Sequence, residues 1–412
     1  MPKVLHTLSG RAMIDYPVMA ALAVSDDVQV VLFHEAERLE AHINEEFPLA
    51  KCVRQDHLRF PGTGGAVMAA APKHDRIVVL NGDMPLIDAG FVRSLAAGRA
   101  DATLAVFISP NPTGYGRVVI KKDRVLRIVE EKDADAETKA INTINGGAYA
   151  FSAHFLRENL PKLTNQNAQN EFYITDLIAL ANESGREVSA VWGDSEILMG
   201  VNSKAELAIA ENIHQARLKE SLMIRGVLMR LPETIFIDAN ATFEGECVVE
   251  NGVVVLGKSR VTRSTIKAHS VIEDSIVTDS DVGPFAHLRP NCEISNTHIG
   301  NFVETKKARL NGVKAGHLSY LGDVEIDEGT NIGAGTITCN YDGKNKHKTV
   351  IGKNVFIGSD TQLVAPVTIP DNVLIGAGTT VTKNPNEGDL VLSRSPQKSF
   401  AGFFARFFGK KP

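Results

Sequence analysis

The sequence lacks a basic surplus. Its 44 lysines and arginines are outnumbered by 49 aspartates and glutamates, for a net charge of −5, so nucleic acid is not expected as the main partner. Phosphorylated small molecules remain in play, because anion sites are built from local amides and single cations rather than from net charge. Cysteine is scarce. Cys52, Cys247, Cys292 and Cys339 are scattered with no CxxC spacing, which argues against a disulfide frame or a zinc site and points to a reducing compartment. No apolar signal-like stretch follows Met1, and no apolar run approaches the roughly 20 residues of a membrane span. The expectation is a cytoplasmic protein without an integral membrane segment. What remains is ordinary for a globular chain: 43% hydrophobic and 23% charged over 412 residues, long enough for two domains.

Two textures divide the chain. Up to about residue 200, short apolar runs alternate with amphipathic stretches. Val28–Phe33, Arg76–Leu80, Ala102–Ile108, Arg117–Ile120 and Val188–Trp192 read as strands, Phe91–Ala97 and Asp176–Asn182 as helices. That alternation predicts an open α/β sheet with ligands at the carboxyl ends of its strands. Ser203-Lys204-Ala205-Glu206 is then a capping box, followed by Ile209/Ile213 and Leu218/Leu222 at helical spacing. Gly226 is a natural stop. One long helix over 203–225 is expected, which sets domains at 1–204 and 226–412 with a linker helix at 205–225.

From about 235 a short period takes over. Ile351, Ile357, Leu363, Ile369, Ile375 and Val381 fall six residues apart; Val355, Val367 and Val373 keep a second phase, and Val282, Leu288 and Ile294 the same step. One buried aliphatic every six residues builds a parallel β-helix of stacked coils. A chance run is a poor alternative for six aliphatics in register. An open coil end needs a cap, a role the long helix can fill.

One region interrupts this rhythm. It runs from His287-Leu288-Arg289-Pro290 through Asn301–Lys307 and Lys314-Ala315-Gly316-His317-Leu318-Ser319-Tyr320 to Asn331–Gly343. With Gly358–Thr361 and Leu392-Ser393-Arg394, it resembles the C-terminal domain of the bacterial bifunctional N-acetylglucosamine-1-phosphate uridyltransferase / glucosamine-1-phosphate N-acetyltransferase family, a left-handed β-helix. Moving an acetyl group from a thioester to an amine requires a base to hold the amine's proton, and a histidine of pKa near 6.5 suits the task. A histidine taken alone is more often structural than catalytic; the matching motif around His317 makes it the candidate base. The resemblance implies that Arg289 and Lys306 hold the sugar phosphate and that Tyr320 and Asn331 contact the sugar. It places Asn340, Tyr341, Lys346, Ser359, Ala377 and Arg394 at acetyl-CoA, with Ala334 beside them. Glu304 and Asp323 either orient a neighbour or are simply solvated. The family's acetyl site is shared between subunits, which implies a homotrimer.

The first half carries Pro2-Lys3-Val4-Leu5, Pro61–Ala66, Asn81-Gly82-Asp83-Met84-Pro85-Leu86, Pro112–Arg117, Val129-Glu130, Asn145-Gly146-Gly147, Glu171–Asp176 and Gly200-Val201-Asn202. In this order they resemble the nucleotidyltransferase domain of the same family. Joining a sugar 1-phosphate to UTP brings anions together and expels pyrophosphate, which calls for a divalent metal and local cations. Asp83 follows an apolar strand, a suitable place for a magnesium carboxylate, and the resemblance makes Asn202 its partner. Read alone, Gly82-Asp83 is equally a turn. The resemblance further gives Gly62-Thr63 backbone amides near the base, Gln55 the base-reading amide, and Gly116, Glu130 and Asn145 sugar contacts. Lys3, Asn81 and Gly82 complete the nucleotide and sugar set.

One departure stands out. The family precedes its Pro-Lys-Val with a strand and a glycine-rich phosphate loop, whereas here Met1 directly precedes Pro2. The expectation is a truncated Rossmann-like domain, poor in uridylyl transfer as written, and a longer natural chain. The activity expected is acetyl-CoA-dependent acetylation of glucosamine 1-phosphate, then uridylyl transfer to give UDP-N-acetylglucosamine for peptidoglycan and lipopolysaccharide, with Mg2+ as cofactor. An acetyltransferase with a vestigial first half and a non-catalytic regulatory subunit are the competing readings. The phenylalanine-rich tail Phe400–Phe408, ahead of Lys410-Lys411, invites docking on a neighbouring subunit or a membrane surface, with subunit packing preferred.

Overall fold

The computed structural model describes residues 2–409; Lys410 and Lys411 lie outside them. The chain divides into two compact units, Met1–Gln215 and Ala216–Pro412.

In the first unit Ala102–Ile108 is buried at every position except Ile108, the pattern of a strand covered on both faces. It pairs in parallel with Val188–Trp192 and antiparallel with Thr143–Ser152. Thr143–Ser152 also receives Arg76–Leu80 and the hairpin Arg117–Lys121/Arg124–Val129, all antiparallel. The sheet is therefore mixed, built around a ten-residue strand that is not among the five expected and that contains the Asn145-Gly146-Gly147 motif. Its register against Ala102–Ile108 shifts between Leu104 and Val106, so no clean alternation survives to be read. Gln29–Leu32 and Lys51–Arg54 form a separate parallel pair. All five expected strands are present.

The helix Lys204–Ile224 begins with the capping box in place. Ser203 Oγ accepts from Glu206 N at 3.2 Å, and Glu206 Oε2 accepts from Ser203 N at 2.7 Å. Ala210, with Leu207 and Ile213, packs in the first unit's core, while Leu218 and Leu222 pack in the second's. Lys219 donates to the carbonyls of Pro232 and Ile235 at 2.6 and 2.8 Å, closing the first coil of the second unit. Ile209, at helical spacing from Ile213, is 52% exposed. Chain reversal follows at Gly226, whose φ is +100°.

The second unit is a parallel β-helix. One face is a ten-stranded ladder from Leu228–Met229 to Leu390–Val391, one strand per coil. The other two faces run side by side and join where Glu304–Asn311 and Tyr320–Ile326 continue around a corner. Every aliphatic of the six-residue period is buried, from Ile351 at 0% to Val381 at 2% exposed. Each inward residue contacts its counterparts above and below, so the core is one continuous column with no lateral layer to complete.

Candidate functional site

Two groups of predicted residues lie in the second unit, around one corner of the helix. The corner segments Gly300-Asn301, Gly316-His317, Gly333-Ala334, Gly358-Ser359 and Gly376-Ala377 stack coil upon coil. Asn301 aligns with His317; Asp360 N donates to Ala334 O and Gly378 N to Ser359 O, both at 2.8 Å. Three of these corners are tied by a buried threonine donating back to the corner glycine: Thr336 to Gly333 O, Thr361 to Gly358 O and Thr379 to Gly376 O, at 2.5–2.7 Å. The coils approach so closely that a Cβ at Gly358 would lie 2.4 Å from Ala377 N. Residues separated by 60 positions in sequence, His317 to Ala377, thus form one line, exposed at His317, Ser359 and Ala377 and half-buried at Ala334.

His317 is exposed, and among the described residues its ring has no hydrogen-bond partner. On the adjoining face, paired strands align His287, Glu304 and Tyr320. Arg289 donates to Glu304 Oε1 at 2.9 Å, and this carboxylate stabilises the guanidinium charge and raises its pKa. Lys306 aligns with Gly322, over which the Tyr320 ring lies: a Cβ there would be 2.5 Å from the phenol oxygen. Asn331 opens the strand that leads into the Gly333 corner and aligns with Lys314. The predicted acceptor residues therefore occupy neighbouring coils on both sides of His317. Glu304, left open between orienting and solvated, is an orienting group for Arg289.

The step from Ala334 to Ser359 is long because a loop is inserted at 340–348. Asn340 Nδ2 donates to Asp323 Oδ2 at 2.5 Å, so Asp323 too holds a neighbour. Tyr341 and Lys346 form an antiparallel bridge, with the ammonium 4.9 Å from the ring centre. The turn between them is fixed by Asp342, which accepts from the amides of Asn345 and Lys344 and lies 2.7 Å from His347 Nε2. Those amides and the imidazole hold its carboxyl far below the usual range. Arg394 crosses the last corner, its guanidinium 2.6 Å from where a Gly376 Cβ would stand. The contribution of Gly322, Asp342 and the three threonines was not legible in advance, since a buried hydroxyl or glycine in a repeat reads as repeat punctuation.

The first unit gathers a second set. Lys3 Nζ donates to Asp83 Oδ2 at 2.7 Å and Asn202 Oδ1 at 2.9 Å, so the two expected metal ligands meet around a cation. Asp83 follows the end of Arg76–Leu80, and its carbonyl accepts from Val201 N at 2.9 Å, which brings the Gly200–Asn202 stretch alongside. Asn81 N donates to Gly147 O, and Gly82 packs at Ile14. Gln55 Nε2 donates to the carbonyls of Phe60 and Gly62 at 2.9 Å, shaping the loop that ends in the helix Gly62–Ala70. Thr63 Oγ1 accepts from Ile174 N at 3.1 Å.

Two family models match the chain. One, described as a MobA-like NTP transferase domain, covers residues 1–145; the other, described as bacterial transferase hexapeptide (six repeats), covers 348–383. The bifunctional protein GlmU of Aliarcobacter butzleri is 55% identical over 410 residues, 100% of this chain and 95% of the relative. That of Wolinella succinogenes is 56% identical over 407 residues, 99% and 94% of the two chains. That of Nitratiruptor sp. is 54% identical over 410 residues, 100% and 95%. The chain belongs to the bifunctional GlmU family. It is accordingly a transferase with a nucleotidyltransferase half and a hexapeptide-repeat acyltransferase half, and the readings as a vestigial or regulatory subunit are not favoured.

Within the GlmU nucleotidyltransferase half, Gly116, Glu130 and Asn145 converge. Asn145 N donates to Gly116 O at 2.8 Å, and Glu130 carboxylate oxygens lie 3.3–3.4 Å from where a Gly116 Cβ would stand. Glu130 accepts from Thr175 Oγ1 at 3.0 Å, and Asn145 donates to Tyr149 at 2.5 Å. Burial is the largest influence on Glu130 and pushes its pKa up, outweighing the Thr175 hydrogen bond. A carboxyl whose folded pKa is raised stabilises the fold fully below the unfolded value of roughly 4.3, and that contribution is lost as pH rises through the folded value. Glu130→Gln keeps the acceptor for Thr175 and removes the charge. It is expected to raise the melting temperature at pH 7–8 by roughly 2 °C and to change nothing near pH 4. Differential scanning calorimetry at both pH values checks this; destabilisation at pH 7.5 contradicts it.

Proposed function

We propose that this protein acetylates glucosamine 1-phosphate with acetyl-CoA and then transfers uridylyl from UTP to the product, giving UDP-N-acetylglucosamine and pyrophosphate. The observation that carries the acetyl half is the exposed His317, without a hydrogen-bond partner among the described residues, on the corner line with Ala334, Ser359 and Ala377. An imidazole with no hydrogen-bond partner among the described residues is available to take the proton of the attacking amine. The amine attacks the thioester carbonyl, its proton passes to His317 Nε2 or Nδ1, and the C–S bond breaks as that proton is returned to sulfur, so that coenzyme A leaves as the thiol. Arg289, held by Glu304, and Lys306 take the acceptor's phosphate. Tyr320 and Asn331 position its ring. Asn340, Tyr341, Lys346, Ser359, Ala377 and Arg394 receive the coenzyme, with the Tyr341 ring and Lys346 ammonium suited to a base and a phosphate.

For the uridylyl half, Mg2+ fits the oxygens of Asp83 and Asn202, which already face one cation. Among the described residues no three His, Cys, Asp or Glu side chains form a complete metal cage. That suits Mg2+, which binds through one or two protein oxygens and the substrate's phosphates. When bound, the metal neutralises phosphate charge. Lys3 then turns its ammonium to a phosphate, Gln55 with Gly62 and Thr63 takes the base, Asn81 and Gly82 line the floor, and Gly116, Glu130 and Asn145 orient the sugar. Activities divide between the two halves of the chain, about the helix at 205–225. The working unit is a homotrimer, and the setting is the cytoplasm.

Purified protein supplied with glucosamine 1-phosphate, acetyl-CoA, UTP and Mg2+ should form UDP-N-acetylglucosamine. Thiol release is expected without UTP, and pyrophosphate release without acetyl-CoA when N-acetylglucosamine 1-phosphate is supplied. Light scattering should give three chain masses. Absence of acetyl-dependent thiol release would reject the reading.

A further inference from the structure

The chain carries a net charge of −5, yet residues 395–412 hold four cations, Lys398, Arg406, Lys410 and Lys411, and no carboxylate side chain. Within this stretch Phe403–Phe408 is helical. At 100° per residue, Phe403, Phe404, Phe407 and Phe408 share one arc while Ala405 and Arg406 take the other. The rings are ordered against one another, Phe403 with Phe407 at 5.6 Å and Phe404 with Phe408 at 4.9 Å. None is covered: with Phe400 they are 51–70% exposed. Arg406 lies 6.0 Å from the Phe403 ring, at the border of the two arcs.

We propose that this tail is a peripheral contact for an anionic lipid surface. Four rings on one arc of a six-residue helix, with cations beside them, make an exposed apolar face bordered by positive charge. Such a face suits the acyl boundary of a bilayer, reached to about 5–10 Å. Lys398 precedes it in sequence, Lys410 and Lys411 follow it and Arg406 lies within it, and these cations complement lipid phosphates, which sit above that apolar depth. Residues 392–400 lack regular structure, so the helix is joined to the β-helix by a strap that leaves it room to lie flat. No helix among the described residues is long and apolar enough to cross a membrane. One short apolar face with a few cations makes the attachment weak, reversible and salt-sensitive.

The full chain is mixed with sucrose-loaded vesicles of phosphatidylcholine alone or with 30% phosphatidylglycerol and sedimented. At low salt the pelleted fraction should be at least several-fold higher on the anionic vesicles, and should fall toward the neutral level in 0.5 M salt. The double variant Phe404→Glu/Phe407→Glu should return to the neutral level with its oligomeric mass unchanged, while Phe404→Leu/Phe407→Leu keeps most of the binding. Equal sedimentation of the wild type on both vesicles overturns the proposal. So does loss of oligomeric mass in the glutamate variant, which assigns the face to a second copy of the chain.

Discussion

His317→Ala should lower acetyl transfer to glucosamine 1-phosphate by roughly 10²–10⁴-fold, the usual contribution of a positioned general base. The fall belongs in kcat, because the sugar phosphate and the coenzyme are assigned to other side chains. Its ring makes no hydrogen bond among the described residues and stands exposed at a corner. Its neighbour Ala315 fills the core, and Ser319 ties the corner by donating to His317 O at 2.9 Å, a backbone contact that alanine keeps. Melting temperature and oligomeric mass are therefore expected to stay at wild-type values, as is pyrophosphate release by the other half. Thiol release followed with a disulfide reagent measures the effect. Activity within a few-fold of wild type would remove His317 from the role of base. Arg289→Gln is the informative companion: it should raise KM for the sugar phosphate more than it lowers kcat.

Asp83→Asn should have the converse selectivity. It preserves shape and the hydrogen bond from Lys3 while removing the only carboxylate, among the described residues, that pairs with that ammonium. Uridylyl transfer is expected to fall by roughly 10²–10³-fold, the scale for losing one electrostatic anchor of transition-state charge. The acetyl reaction should be untouched. Pyrophosphate release gives the rate, and calorimetric titration of UTP with and without Mg2+ gives a reading independent of turnover. Wild-type Mg2+-dependence of UTP binding in the variant would place the metal elsewhere.

Most of the second unit was legible before any coordinate. A six-residue period has one simple structural solution, and all the aliphatics that define it are buried. The first unit was legible as strands but not as a topology. Arg76–Leu80, Ala102–Ile108 and Val188–Trp192 match their expected bounds; of these Ala102–Ile108 is covered on both faces and the other two are half-buried. Thr143–Ser152 was hidden by Asn145-Gly146-Gly147, and with it the antiparallel direction of three of the sheet's pairings. Strand direction is a property of long-range pairing, on which local apolar patterning is silent.

The site divides along the same line. Residue chemistry made His317 and Asp83 eligible as a base and a metal carboxylate, and the family resemblance singled them out and added Arg289, Lys306 and Asn202. Only the tertiary structure decided which of them meet. It set Lys3 between Asp83 and Asn202, which lie 119 positions apart, and Glu304 on Arg289. It also stacked His317, Ala334, Ser359 and Ala377 into one line despite steps of 17, 25 and 18 residues between them. A coil tolerates an insertion such as 340–348 at a corner without losing register, because the stacked core residues fix each coil on the last. The sequence determines the period and the chemistry. The register between coils, and the pairing of strands far apart in the chain, arise only when the backbone hydrogen bonds close.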